Sequence, residues 1–364
     1  MELGPSPEQQ ALTEAVRRFC DEQITPGRLA AWAKEPAGVD DACWRAAVDL
    51  GWLGVGLPTT AGGSGLGLVE VACVLAACAR GLVPRRIINA IRGGILLAAL
   101  DPGSEHLAAV AHGDARVTWA LEERHGGTAA AWRTRLSSTT RPPRVTGEKW
   151  YVPDAAGAHL HVVGARAPRG VALVLVAGTA ATTSALRTFD GERQAVVRYD
   201  AAPVLQRLTQ DGRGEAALVA VQRQQTALAL AEMVGGMDAV LAASVAYVKD
   251  REQFGQKLAV FQAVQHQVAD MATAYTAGRH LAWQAITRLA AGTETGTELE
   301  AAAAFVGQAF KRLTLAAHHL HGGAGYVVEH PLHYHAERAQ ALCIRYTPEA
   351  SNLEAVAEGL LDAR

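Results

Sequence analysis

The residues with the clearest chemical potential stand between Asp250 and His266. They form the string Asp250-Arg251-Glu252-Gln253-Phe254-Gly255-Gln256-Lys257-Leu258, followed by Phe261-Gln262-Ala263-Val264-Gln265-His266. A glycine after a helix, with a fixed cation and an amide close by, suits the docking of a polyanionic cofactor. The planar guanidinium presents its donors in the fork that a pyrophosphate accepts. Spacing alone describes an ordinary helix–turn–helix with a charged corner equally well. A second group, Glu329, His330, His333 and His335, crowds one short segment. Metal ligands on a helix need i, i+3 or i, i+4 spacing on one face, and Pro331 between His330 and His333 argues for a turn. No metal is expected there. Gly62, Gly63, Gly65 and Gly67 do not make a dinucleotide fingerprint, because no strand precedes them.

These groups must be positioned by a chain of 364 residues, 49% apolar and 19% charged, long enough for two to three domains. Thirty-four basic against thirty-six acidic residues give a formal net charge of −2, without the basic excess of a nucleic-acid binder. Five cysteines (Cys20, Cys43, Cys73, Cys78, Cys343) form no C-x-x-C pair, so neither a disulfide framework nor a zinc site is expected. A reducing, cytoplasmic compartment fits better. The apolar stretches around Val69–Ala79 and Ile87–Leu100 are too short or interrupted to span a bilayer, and no signal peptide is apparent.

Three textures follow one another. The first, residues 1–112, is helical. Ser6, Pro7 and Gln9 make a capped start, and Leu12, Val16 and Phe19 continue one apolar face. The second, 113–210, alternates β-prone runs (Val117–Leu121, Glu148–Val152, Leu160–Val163, Val171–Val176) with Gly, Pro and Thr clusters, as in a compact β domain. Within it Arg124–Arg144 reads as a poorly ordered surface loop. The third, 211–364, carries long apolar stripes at helical spacing and predicts a bundle, with helices over Phe261–Leu289 and Glu298–His319.

The whole string from Arg251 closely resembles the R-x-x-F-G…F-Q-x-x-Q signature of the acyl-CoA dehydrogenase family. Gly51-Trp52-Leu53-Gly54 through Pro58, with Gly62-Gly63-Ser64-Gly65-Leu66, looks like that family's N-terminal domain. Gly147-Glu148-Lys149-Trp150-Tyr151-Val152-Pro153-Asp154-Ala155 looks like its middle-domain strand, and His321-Gly322-Gly323-Ala324-Gly325-Tyr326 with Pro331 like its C-terminal Gly-Gly motif. The resemblance implies a mostly α fold with a small β-barrel-like middle domain and a C-terminal four-helix bundle, assembled as dimers or tetramers. It also implies FAD, wedged between middle domain and bundle, with its ADP half reaching a neighbouring subunit. By motif position Arg251 would bind the pyrophosphate, Phe254 and Gln262 would line the ADP pocket, and Gly322 and Gly323 would let backbone approach the adenosine end. His319 stands where the family often has glutamine, and Tyr151 best matches the aromatic residue behind the flavin. Where the family reads T-E-P-x-A-G-S-D over the flavin, this chain departs, with Ala120-Leu121-Glu122-Glu123-Arg124-His125-Gly126-Gly127.

The family's reaction needs a carboxylate to take the α-proton of an acyl thioester while a β-hydride passes to the flavin. Ungapped alignment from Pro331 places Tyr346 at its usual position, and the alternative position on the first bundle helix holds Gln225. An unperturbed phenol, with a pKa of about 10, is a poor base near neutrality. Glu349 and Glu232 are the carboxylates that could replace it, though a solvated Glu349 is the simpler reading. The tail resembles the glutamate-lacking subunit of heteromeric acyl-CoA dehydrogenases that act on steroid side chains in actinobacteria. Three readings follow. The chain is an FAD-dependent acyl-CoA dehydrogenase, working as one subunit of a hetero-oligomer with a homologous subunit and an electron-transfer acceptor; or a structural subunit completing a partner's FAD site; or a redox-neutral lyase or dehydratase on an acyl-CoA or other acyl thioester.

Overall fold

The computed structural model describes residues 5–126, 129–139, 141–293, 297–327 and 329–362. Its contacts divide the chain into two units, one of residues 1–31, 67–83 and 224–364, the other of 32–66 and 84–223.

The first unit is helical. α1 (Pro7–Gln23) opens with the expected capping box, Ser6 and Gln9 each bonding the other's backbone. It lies along α4 (Leu68–Arg80), where Gln9 Nε2 donates to Glu70 Oε1 at 2.9 Å. The bundle proper consists of α7 (Gly214–Asp250), whose first turns belong to the other unit, α8 (Gln262–Ala291), α9 (Glu298–His321), α10 (Leu332–Tyr346) and α11 (Glu349–Asp362). Between α7 and α8 sits a small hairpin of β8 (Glu252–Gln253) and β9 (Gln256–Lys257). The Asp238 carboxylate on α7 pairs with Arg80 of α4 at 2.7 Å and Arg17 of α1 at 3.4 Å. α7 is long and apolar enough to cross a bilayer, yet 67% of its most apolar window is buried within the protein.

Two adjacent glycines set the packing of α7. A Cβ on Gly235 would stand 1.9 Å from the Ala76 carbonyl of α4, and one on Gly236 would stand 2.3 Å from the Phe310 ring of α9. Gly235→Ala must therefore push α4 and α7 apart. It is expected to cost about 1–3 kcal/mol, read as a lower urea midpoint; an unchanged midpoint would show that the two backbones are not in contact there.

The second unit begins with α2 (Pro26–Lys34), which it shares with the first, and α3 (Asp41–Asp49), followed by α5 (Arg85–Leu100) and α6 (Leu107–Ala111). Its sheet contains β1 (Val117–Ala120), β2 (Arg135–Ser137), β3 (Arg144–Pro153), β4 (Leu160–Ala167), β5 (Gly170–Ala177), β6 (Ala181–Leu186) and β7 (Gln194–Arg207). Pairing runs β4–β2–β3–β7–β5 and returns from β5 to β4, which closes a small barrel; β1 adds in parallel to β4, and β6 adds to β7. Val145, Val163, Val174, Val176, Val197 and Tyr199 fill it. α5 rests on β1 at Gly93, where a Cβ would stand 2.0 Å from the Val117 carbonyl.

The structure corrects one expectation. The segment Arg124–Arg144 is not a plain surface loop: it contains β2 and buries Trp132, Thr134 and Leu136. Its many Thr, Ser and Arg residues hid a short strand whose inward positions alternate with exposed ones. Gly127 lies outside the described residues.

Asp154, just past β3, has a left-handed φ of 48°. Its carboxylate accepts from Asn89 Nδ2 at 2.7 Å, and the same amide donates to Glu192 at 3.0 Å. Burial, and then the Glu192 charge, outweigh the Asn89 bond and the nearby Arg86 and Arg85, raising Asp154 to about 6. A folded-state pKa above the unfolded value means stability that is present below about pH 4 and lost as pH rises through 6. Asp154→Asn should thus stabilise the protein at pH 8 by on the order of 2 kcal/mol and have little effect at pH 4, a difference thermal melts at the two pH values would reveal.

Candidate functional site

In the first unit, the predicted cofactor residues gather where α7 ends. Arg251 follows its last turn, with its backbone N–H donating to the Tyr247 carbonyl at 2.8 Å. The β8–β9 hairpin that follows turns through Phe254 and Gly255, with φ of 56° and 80°. A two-residue loop with positive φ at both positions is the turn that matches strand twist, and Gly255 enters it without strain. Phe254 does not: a non-glycine residue in this region is uncommon. The turn holds its ring outward, 92% exposed, with an edge-on contact to Phe261. Lys257 braces the hairpin, donating to the Asp250 carbonyl at 2.7 Å and pairing with Glu252 at 2.9 Å. Arg251 is exposed and makes no ion pair among the described residues.

Tyr247, one turn before Arg251, contacts the residue that precedes the Gly-Gly motif. Its ring stacks on His321 at 4.3 Å, and its hydroxyl donates to the His321 carbonyl at 3.3 Å. The turn of α7 before Arg251 is thereby clamped to the residue preceding Gly322. Gly322 has φ 56°, and neither Gly322 nor Gly323 would meet an atom within 4 Å if given a Cβ. The exposed His319 ring approaches Gln267 Oε1 at 3.2 Å, and Gln267 Nε2 donates to the Ala316 carbonyl at 3.2 Å, tying early α8 to the end of α9. Gln262, the first residue of α8, is exposed. Arg251, Phe254, Gln262, His319, Gly322 and Gly323 therefore come from three elements joined by observed contacts. Sequence reasoning missed Tyr247 and Gln267, the residues that do the joining.

Histidines crowd the same turn without forming a metal site; no group of three candidate ligands is present among the described residues. His318 stacks on Tyr326 at 4.4 Å, and His330 meets His321 edge-on at 5.0 Å. Pro331 caps α10, and Leu332 N–H donates to His330 Nδ1, the turn expected at that proline. Burial, with repulsion between neighbours, pushes His318 and His330 below the usual range, and burial lowers His321. Neutral rings therefore flank the glycines, and fixed positive charge comes from Arg251.

Tyr346 ends α10, partly buried, with the Arg345 guanidinium 5.4 Å from its ring centroid. Glu349 is exposed at the start of α11. Glu232 and Gln225 are both buried on α7, two turns apart on one face. In the second unit, Tyr151 sits at an irregularity of β3: pairing with β7 breaks between Lys149 and Val152. Its φ of 56° turns the ring outward to 38% exposure. Such strained bulges recur beside functional sites.

Residues 6–108 match the acyl-CoA dehydrogenase N-terminal domain and residues 215–361 the acyl-CoA dehydrogenase C-terminal domain, and the chain belongs to the acyl-CoA dehydrogenase family. Among curated proteins it is 27% identical to the probable acyl-CoA dehydrogenase FadE25 of Mycobacterium tuberculosis over 345 residues, 89% of this chain and 88% of the relative. It is 28% identical to the 3-sulfinopropanoyl-CoA desulfinase of Advenella mimigardefordensis over 333 residues, 81% of this chain and 80% of that one. Among solved structures, a variant of the Tcur3481–Tcur3483 steroid ACAD superposes with a TM-score of 0.89 at 28% identity, covering 98% of both chains.

Proposed function

We propose that this chain is an FAD-dependent acyl-CoA dehydrogenase subunit that works in a hetero-oligomer with a homologous subunit carrying the catalytic carboxylate. The observation that carries the cofactor assignment is the exposed Arg251, one turn after the Tyr247 that stacks on His321, together with two glycines after His321 that have open space over their backbone. A flat polyanion fits such a set: a fork of donors for the pyrophosphate and a bare backbone for close approach. Arg251 would hold the pyrophosphate. Phe254 and Gln262 would line the ADP pocket, with His319, Gly322 and Gly323 at the adenosine end. Tyr151 would cover the flavin ring. Bound FAD would supply the hydride acceptor.

The acid–base half of the reaction is what the chain lacks. Tyr346 stands in the carboxylate's place by motif, and the exposed Glu349 is a solvated residue. The Tcur3481–Tcur3483 structure, named as a steroid ACAD, supports an acyl thioester with a bulky acyl group as the substrate class. The desulfinase relative supports a redox-neutral alternative on the same scaffold. The discriminating experiment supplies acyl-CoA thioesters and a ferrocenium dye to the chain alone and to the chain coexpressed with homologous subunits. Dye reduction confined to the mixed assembly supports the proposal; product formed without any acceptor would favour the alternative.

A further inference from the structure

In the first unit, α10 is seated on the C-terminal corner of α4. Arg338 Nη2 donates to the Val83 carbonyl at 3.0 Å and reaches that of Leu82 at 3.5 Å. Leu82 leaves α4 with a left-handed φ of 57°. One turn before Arg338, His335 is buried, and its Nδ1 is shut away from solvent with no hydrogen-bond partner among the described residues. The charged and titratable groups that bear on its ring are Arg338 and His333 of its own helix and Arg80 of α4. Arg80 is anchored by the Asp238 carboxylate of α7 at 2.7 Å, which also serves Arg17 of α1 at 3.4 Å. Toward α9, His333 bears in turn on His318. The corner itself is tightly packed: a Cβ on Gly81 would stand 2.3 Å from Cys20 Sγ of α1.

We propose that this contact is an acid-sensitive latch: a proton taken up by His335 undocks α10 from the corner of α4. The inference stands whether or not the chain holds a flavin. An imidazolium donates from both ring nitrogens, and at Nδ1 it would find no acceptor. It would also set a third positive charge beside two fixed guanidiniums, in a buried place where only an opposite charge could offset the desolvation. The Asp238 carboxylate is already engaged with Arg80 and Arg17. Lifting the helix returns the ring and the guanidiniums to water. An apolar side chain would fill the same place and hold the helix at any pH. α10 runs from the turn at Pro331 to Tyr346, so its release in acid loosens the segment that leads to Tyr346.

The latch has a pH signature. Burial first, then Arg338, Arg80 and His333, lower His335 to about 3. Once undocked, the ring returns to its ordinary value of about 6.5. A docked-state pKa below the open-state value means docking at full strength above about pH 6.5, weakening about tenfold per pH unit as pH falls toward the docked value. Burial lowers His318, His321 and His330 as well, so any of these rings freed along with α10 acts in the same direction.

The test is hydrogen exchange of the full chain between pH 7 and 4.5, read as protection relative to the intrinsic rate at each pH. Peptides of α10 report the latch, and peptides of α8 serve as the reference. In the wild type, protection of α10 is expected to fall on the order of 50–100-fold over this range, the linkage of one ring, and that of α8 to fall far less. His335→Leu, which cannot take up a proton, should confine the α10 loss to about fivefold. Should His335→Leu fail to fold, His335→Gln keeps a neutral polar side chain and carries the same expectation. Wild-type α10 protection constant to within twofold would overturn the proposal. So would a loss of wild-type size in the His335 variant, which would place the sensitivity elsewhere. An equal fall in α8 would mean that acid unfolds the whole unit at once, and that no latch exists.

Discussion

Arg251→Met is expected to leave the helical bundle folded and to reduce FAD affinity by roughly 10–100-fold, the equivalent of one charge-assisted, forked contact. The reason is geometric. Arg251 is exposed, and its position is fixed by the end of α7 and by the hairpin after it, not by any ion pair of its own. Removing it therefore takes away a ligand group without unpairing a buried carboxylate, and stability should change little. Flavin fluorescence titration would measure the loss, with thermal melts as the control. Unaltered FAD affinity would show that the hairpin corner is only a solvated turn. Lys at this position should recover part of the effect, since it keeps the charge but not the fork.

Tyr346→Glu should create dehydrogenation where little exists. A correctly placed general base contributes about 10²–10⁴-fold, so a flavin-loaded, inert chain should gain at least 10²-fold in dye reduction with its preferred acyl-CoA. Tyr346 is partly buried beside Arg345, and a guanidinium so close would favour the ionised form of a new carboxylate. The companion variant, Glu349→Gln with Glu232→Gln, should leave the activity of the mixed assembly unchanged. A large loss in that variant would mean that one of these glutamates is the base and that Tyr346 is a bystander.

Much of this architecture was legible from local chemistry. The capping box at Ser6 and Gln9, the long helices of the bundle and the β rhythm of the middle segment all formed as their residues predict. So did the turn at Pro331. The tie between hairpin and glycines was not legible. Tyr247 looks like one more aromatic on a long apolar helix, and its stacking on His321 joins residues 74 apart. Neither periodicity nor spacing reports a contact between two helix ends. The segment from Arg124 to Arg144 misled for another reason: its composition is that of a loop. The residues it buries, Trp132, Thr134 and Leu136, are too few and too scattered among polar ones for a pattern of hydrophobicity to reveal.

Whether this chain holds FAD yet brings no base of its own is decided by one anaerobic spectrum. The chain would be purified with FAD present, alone and together with each homologous subunit, and acyl-CoA thioesters then added. Oxidised-flavin absorbance should persist on addition to the chain alone and bleach in a mixed assembly. A colourless preparation in every combination, or full bleaching by the chain alone, would contradict it.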